Sequence, residues 1–176
     1  MWRHFFREEV TATGTAQAML AFQRQYDWDF MKVNPRADYH VEDWGIRLRY
    51  SDSPYEGPTA LDHPVKSPED WLRLKPLDIR RGVLGQHLEA LGLIARELKG
   101  EVPFLMTVFT PLSIVSRLAP SDGVFLAHLR EHPEKVQAAL EVVTETFTRF
   151  AVACLERGAS GLFFATTGWA TRDALT

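Results

Sequence analysis

Val102-Pro103-Phe104-Leu105-Met106-Thr107-Val108-Phe109-Thr110-Pro111-Leu112-Ser113 is the stretch on which the fold turns. From Val102 to Phe109 the residues are apolar or β-branched and do not alternate with polar ones. That pattern predicts a strand buried on both faces, as in a parallel sheet. Pro111 then suits a first helical turn, and a short helix is predicted as far as Leu118. A strand that runs directly into a helix is one step of a strand–helix–strand unit.

Working upstream, Arg81 to Lys99 reads as a helix that Gly100 terminates. Ser67-Pro68-Glu69-Asp70 is a helix start: a capping hydroxyl, a first-turn proline and acids at the positive helix end. Arg47 to Pro64 is rich in Ser, Asp, Pro and Gly and reads as a long excursion or hairpin. Trp28 to Asn34 is a predicted strand stopped by Pro35. Thr15 to Tyr26 is a predicted helix with Ala16, Met19, Leu20 and Gln23 on neighbouring turns. Trp2 to Phe6 is aromatic and strand-like. Downstream, Asp122 is placed to cap a short helix, and Pro133 opens a long one, Glu134 to Arg157, that Gly158 ends. Leu162 to Ala165 reads as another buried strand.

Strands alternating with helices predict an α/β fold with parallel strands, in a single domain over residues 1–176. The segment Thr166-Thr167-Gly168-Trp169-Ala170-Thr171 leads out of a strand, and nothing after it closes the sheet. A (β/α)8 TIM barrel takes roughly 250 residues. The expectation is therefore a partial barrel, too short to work as an enzyme alone. Such an open half-barrel would favour self-association, giving a homodimer.

Composition excludes several classes. Hydrophobic residues make up 45% and charged residues 24%, which is globular rather than disordered. The net charge of -3 gives no basic surplus for nucleic acid. Cys154 is the single cysteine, so no internal disulfide can form and a reducing, cytoplasmic location is expected. No apolar run approaches membrane-helix length, so no membrane partner is expected. His128 and His132 are spaced by four, but Pro133 follows at once and no Cys/His set has zinc spacing, so no metal site is expected. Gly82, Gly85, Gly92 and Gly100 suit helix breaks rather than a phosphate cradle. Trp44, Trp71, Phe147, Phe150 and Leu155 read as core.

Lys32, Asn34 and Arg36 alternate along a strand end, so their side chains share one face. In a barrel that end is the active-site side. They read as an anion-binding cluster with His40, as a solvated strand end, or as cations in an ion pair with Asp38 or Glu42. Thr166, Thr167 and Trp169 follow a strand and read as ligand contacts or as turn chemistry around Gly168.

Three segments together resemble the uroporphyrinogen decarboxylase family. They are Tyr26-Asp27-Trp28-Asp29-Phe30-Met31-Lys32-Val33 with Glu42-Asp43-Trp44-Gly45, then Pro103 to Ser113, then Leu129-Arg130-Glu131-His132-Pro133-Glu134-Lys135-Val136 continuing to Gly158-Ala159-Ser160-Gly161-Leu162-Phe163-Phe164. The resemblance implies cofactor-free decarboxylation of a polycarboxylated tetrapyrrole or a related anionic small molecule. The family's pyrrole-binding aspartate falls on or beside Arg36, its tyrosine on Arg117 and its serine on Thr167. Its N-terminal arginine region falls on Arg3, with His4 beside it. Its C-terminal histidine has no counterpart here. An arginine cannot accept hydrogen bonds from pyrrole N–H groups, so Arg36 departs from the family pattern. Asp38 takes that role if the register shifts. The resemblance thus marks Arg36, Asp38 and Thr167 as catalytic candidates, and Arg3, His4, Lys32, Asn34 and Arg117 as substrate-binding candidates. The same family includes corrinoid-linked methyltransferases whose zinc ligands lie in the C-terminal half. That activity, or a non-catalytic half-barrel, is the alternative expectation.

Overall fold

Residues 3–170 are described in the structure, a computed structural model. Three parallel strands form its centre: β1 (Met31–Val33), β4 (Phe104–Phe109) and β5 (Gly161–Ala165), in the spatial order β1-β4-β5. Lys32 pairs with Leu105, Thr107 with Phe163 and Phe109 with Ala165, so these side chains share one face of the sheet. The alternate residues Met31, Val33, Phe104, Met106 and Val108 point the other way and are all buried. They meet the helix that precedes the sheet, α1 (Ala12–Tyr26), and two that connect its strands, α3 (Gly82–Leu98) and α6 (Pro133–Glu156). The short helix α2 (Tyr39–Glu42), with α4 (Pro111–Leu118) and α5 (Asp122–Glu131), completes the set. Parallel strands alternating with helices are thus what the chain forms, in agreement with the sequence reading.

Local chemistry explains the element ends. Thr11 caps α1 by accepting from Gly14 N, so the helix begins before the predicted Thr15. Thr110 caps α4 and Pro111 fills its first turn. At α5 the cap is Ser121, not Asp122. The α3 helix gets no side-chain cap from Arg81. Asp43, from beyond α2, instead accepts Val83 N at 2.9 Å and Leu84 N at 3.0 Å. Gly82 makes this approach feasible: its φ is +57°, and a Cβ there would lie 2.2 Å from Asp43 Oδ1.

The predicted excursion is a hairpin of β2 (Arg47–Arg49) and β3 (Thr59–Asp62). Ser67 starts a 3-10 helix (Pro68–Arg73) with a full capping box from Asp70.

Four expectations are corrected. Phe6 lies in a turn before a 3-10 helix at Glu8–Val10, not in a strand, and Trp2 falls outside the described residues. A carboxylate governs this: Glu9, 2% exposed, accepts Phe5 N and Ala37 N and turns the chain there. The β5 strand is not buried, because it is the edge of the described sheet; Phe163 is 43% and Phe164 61% exposed. The β4 strand is fully sealed only on its helix side, since on the other face Thr107 is buried but Leu105 and Phe109 are half-buried. Leu155 is exposed on the outer side of α6, whereas Trp71, Phe147 and Phe150 are core.

Candidate functional site

Two compartments open where the three parallel strands end, and they share Asp38, His40 and Phe109. The first, of about 370 Å³, has the open face of the sheet as its floor, with Lys32, Asn34, Arg36, Thr107, Phe109 and Phe163 among its lining. The second, of about 510 Å³, lies beside α4 and the residues after β5, with Arg117, Ser113, Thr167 and Trp169 in its wall. Of the residues singled out by sequence, Lys32, Asn34, Arg36, Asp38 and His4 line the first compartment, and Asp38, Arg117 and Thr167 line the second. Arg3 is exposed, lies over the Phe5 ring and lines neither.

Each side chain has defined partners. Arg36 donates from Nε to Tyr50 Oη and from Nη2 to Glu42 Oε1, and Tyr50 Oη donates to Glu42 Oε2 at 2.8 Å. The guanidinium is thereby held between the strand end, α2 and the residue just after β2. Burial raises the Glu42 carboxyl above its ordinary range, although Tyr50 and Arg36 pull the other way. The ion-pair alternative for Arg36 is therefore present, with Glu42 as partner.

Asp38 faces Arg117 instead. The Arg117 Nε and Nη2 donate to the two Asp38 carboxylate oxygens at 2.8 and 2.9 Å, a two-pronged pair. Burial raises the Asp38 carboxyl, but the Arg117 hydrogen bonds and charge outweigh it, so its pKa is lowered. Asp38 also sits at φ +60°, an uncommon backbone for a residue with a Cβ. Arg117 stands in the last turn of α4, yet its side-chain bonds go to Asp38 and not to the carbonyls of that helix end.

Lys32 Nζ lies 4.5 Å from the Phe163 ring centroid, and burial lowers its pKa. Asn34 is 5% exposed, and its Nδ2 is buried without a hydrogen-bond acceptor. The His40 ring lies tilted against Phe109, with centroids 4.5 Å apart; burial pushes its imidazole down to about 4, so it is neutral at pH 7. His4 approaches Glu9 at 3.1 Å. Thr167 Oγ1 lies 2.7 Å from Ser113 Oγ, and Trp169 Nε1 donates to Ser116 Oγ at 2.8 Å.

His128 accepts from Trp71 Nε1 inside the protein, and His132 stands at the junction of α5 and α6. Among the described residues no group of three His, Cys, Asp or Glu is placed to hold a metal. No described helix is long and apolar enough to cross a membrane.

Sequence reasoning did not single out Ser113, Asp122 or Tyr50 as site residues. Ser113 carried a signal: it sits three residues after the capping Thr110, where a hydroxyl meets the strand-to-helix turn.

The uroporphyrinogen decarboxylase (URO-D) family profile matches residues 4–175. A uroporphyrinogen decarboxylase of Alkalilimnicola ehrlichii is 30% identical over 123 residues, covering 67% of this chain and 33% of its own length. The methylcobamide:CoM methyltransferase MtbA of Methanosarcina acetivorans is 26% identical over 102 residues, 58% of this chain and 30% of its own. The chain thus spans about a third of the length of these curated relatives. A methyltransferase from Methanosarcina mazei shares the fold, with a TM-score of 0.75 at 21% identity over 86% of this chain and 44% of that one.

Proposed function

Since the chain belongs to the uroporphyrinogen decarboxylase family, we propose that it carries the substrate mouth of a barrel enzyme that decarboxylates a polycarboxylated tetrapyrrole or a related anionic small molecule. The observation behind this reading is the convergence of Lys32, Asn34 and Arg36 on one compartment at the C-terminal strand ends. Guanidinium and ammonium groups bind carboxylates, and an amide N–H adds a directed donor. Arg36 keeps Nη1 for a ligand while Glu42 and Tyr50 fix its plane. Decarboxylation leaves electron density on carbon that must take up a proton. Burial makes the Lys32 ammonium a readier proton donor than an ordinary lysine. Asp38, aligned by Arg117, presents the carboxylate that Arg36 cannot supply at its own position.

The test is calorimetric titration of the intact protein with coproporphyrin, a stable polycarboxylated ring. Binding is expected, and Arg36→Ala should abolish it. Unchanged affinity in the variant rejects the assignment.

The MtbA likeness supports a second reading, methyl transfer. The described residues do not offer a three-ligand metal group, so they do not fit a zinc centre and no step is assigned to one. Less than one equivalent of zinc in the full-length protein would count against this reading.

A further inference from the structure

On the helix side of the sheet, two further compartments of about 620 and 460 Å³ open along α3 and α6. They share Arg80, Leu88, Glu156 and Arg157 and so form one groove, and none of its lining residues belongs to the strand-end mouth.

Glycines set its shape. At one end α3 and the residues after α6 touch: a Cβ on Gly158 would lie 2.7 Å from Ala95 Cβ. At the other end the chain entering α3 closes in, since a Cβ on Gly85 would lie 2.5 Å from the Arg80 carbonyl oxygen. Between these two points Gly92 leaves a seat, with nothing within 4 Å of where its Cβ would stand. At about 1.5 Å per helical residue, Gly85 to Ala95 spans about 15 Å. That is the reach of about five residues of extended chain. A helix of that length, about 10 Å across, would take up roughly 1200 Å³ and overflow either compartment.

The lining also selects its occupant. Arg80, Arg96, Arg149 and Arg157 face the groove, and no lysine does. Arg149 is held by Glu145 at 3.0 Å. The side chains of Arg80, Arg96 and Arg157 hold no hydrogen bond or ion pair among the described residues. Glu89 and Glu156 offset part of this charge but leave a positive excess, in a chain whose net charge is -3. Guanidinium groups pair with carboxylates through two parallel N–H donors. Leu88, Ala95 and Ala153 lie between the charges, and Val152, 52% exposed, stands beside them. An apolar surface among arginines, interrupted by two glutamates, suits a peptide better than a nucleic acid, whose unbroken phosphates the glutamates would repel.

We propose that the groove along α3 and α6 docks an extended acidic segment of a partner protein. An apolar side chain of that segment sits over Gly92, and its carboxylates meet Arg80, Arg96 and Arg157.

The test is a titration of the intact protein with a fluorescein-labelled Glu-Glu-Leu-Glu-Glu peptide, read by anisotropy. It should bind at least about tenfold tighter than its Gln-Gln-Leu-Gln-Gln counterpart, and added salt should weaken it. Gly92→Leu changes no charge, fills the seat and suits a helix better than glycine. It should cost at least about tenfold in affinity without lowering the melting temperature. Arg96→Glu combined with Arg157→Glu should cost as much, and Arg36→Ala in the mouth should change nothing. Equal affinity for the glutamine peptide, or binding untouched by Gly92→Leu, overturns the proposal. So does a single-stranded oligonucleotide that binds as tightly as the acidic peptide, which would make the groove a general polyanion site. Self-association of the protein that Gly92→Leu abolishes overturns it as well, because the occupant would then be a second copy.

Discussion

Met106 and Thr107 are neighbours in β4, yet they belong to two different environments. Met106 is wholly buried on the face covered by helices, together with Met31, Val33, Phe104 and Val108. Thr107 lies on the opposite face with Lys32, Phe109 and Phe163, which floors an open compartment. The first face is apolar and closed. The second carries a cation, a buried amide at Asn34 and half-exposed rings. Alternate residues of the same strands therefore divide two tasks, one face holding the fold together and the other presenting chemistry.

The largest test of this division is Met106→Ala. It should cost about 2–5 kcal/mol in denaturant unfolding, as expected for a sealed site that cannot collapse. A cost under about 1 kcal/mol would mean that the closed face is no tighter than the open one.

A second test uses His87, on the helix side. It is 1% exposed, its Nε2 has no partner, and burial, aided by the Arg36 charge, pushes its imidazole from 6.5 down to about 3. A base with a lowered folded pKa contributes full stability above its unfolded value and loses it as the proton is forced in. Stability should therefore fall as pH drops from 6.5 toward about 3, by about 1.4 kcal/mol per unit. His87→Leu should flatten that acid limb, leaving the part due to His40, whose pKa is also lowered, to about 4. An unchanged limb would place His87 in a wet site.

At the mouth the electrostatic effects are smaller. The Asp38 carboxyl has a lowered pKa, so its contribution is present above the ordinary carboxylate range and lost as pH falls through the lowered value. Arg117→Leu should remove this dependence at a cost of about 1 kcal/mol or less, because the Arg117 side chain is 42% exposed. A loss of several kcal/mol would make the pair a core element. Smallest of all, Phe164→Ser on exposed β5 should shift stability by within about 0.5 kcal/mol. A larger loss would show that the strand edge is covered in solution.

What the sequence made legible was mostly local. The start of α4 follows from Thr110 and Pro111, the end of α3 from Gly100, and the hairpin from a run of turn residues. These signals lie within a few residues of what they determine. The site is different. Asp38 and Arg117 are 79 residues apart, and Tyr50 reaches Arg36 from across α2, so no periodicity announces either meeting. Lys32, Asn34 and Arg36 were findable together because strand alternation is itself local. The α2 helix escaped notice because a single turn after a proline carries no repeat. Leu155 was misread because one apolar residue on a long helix does not say which side it faces.

The Asp43 carboxylate that caps α3 also closes a neck. It joins the chain just after α2 to the chain at Val83 and Leu84, closing a circuit whose inner residues, Val65 and Trp71 among them, are packed in the core. The β2–β3 hairpin inside that circuit can then lengthen or shrink with only a slow, logarithmic entropic cost. It is a replaceable cassette. Evolution or an engineer could exchange the segment beyond Tyr50 and before Thr59 while the frame that aims Arg36, Asp38 and Thr107, Tyr50 included, stays fixed.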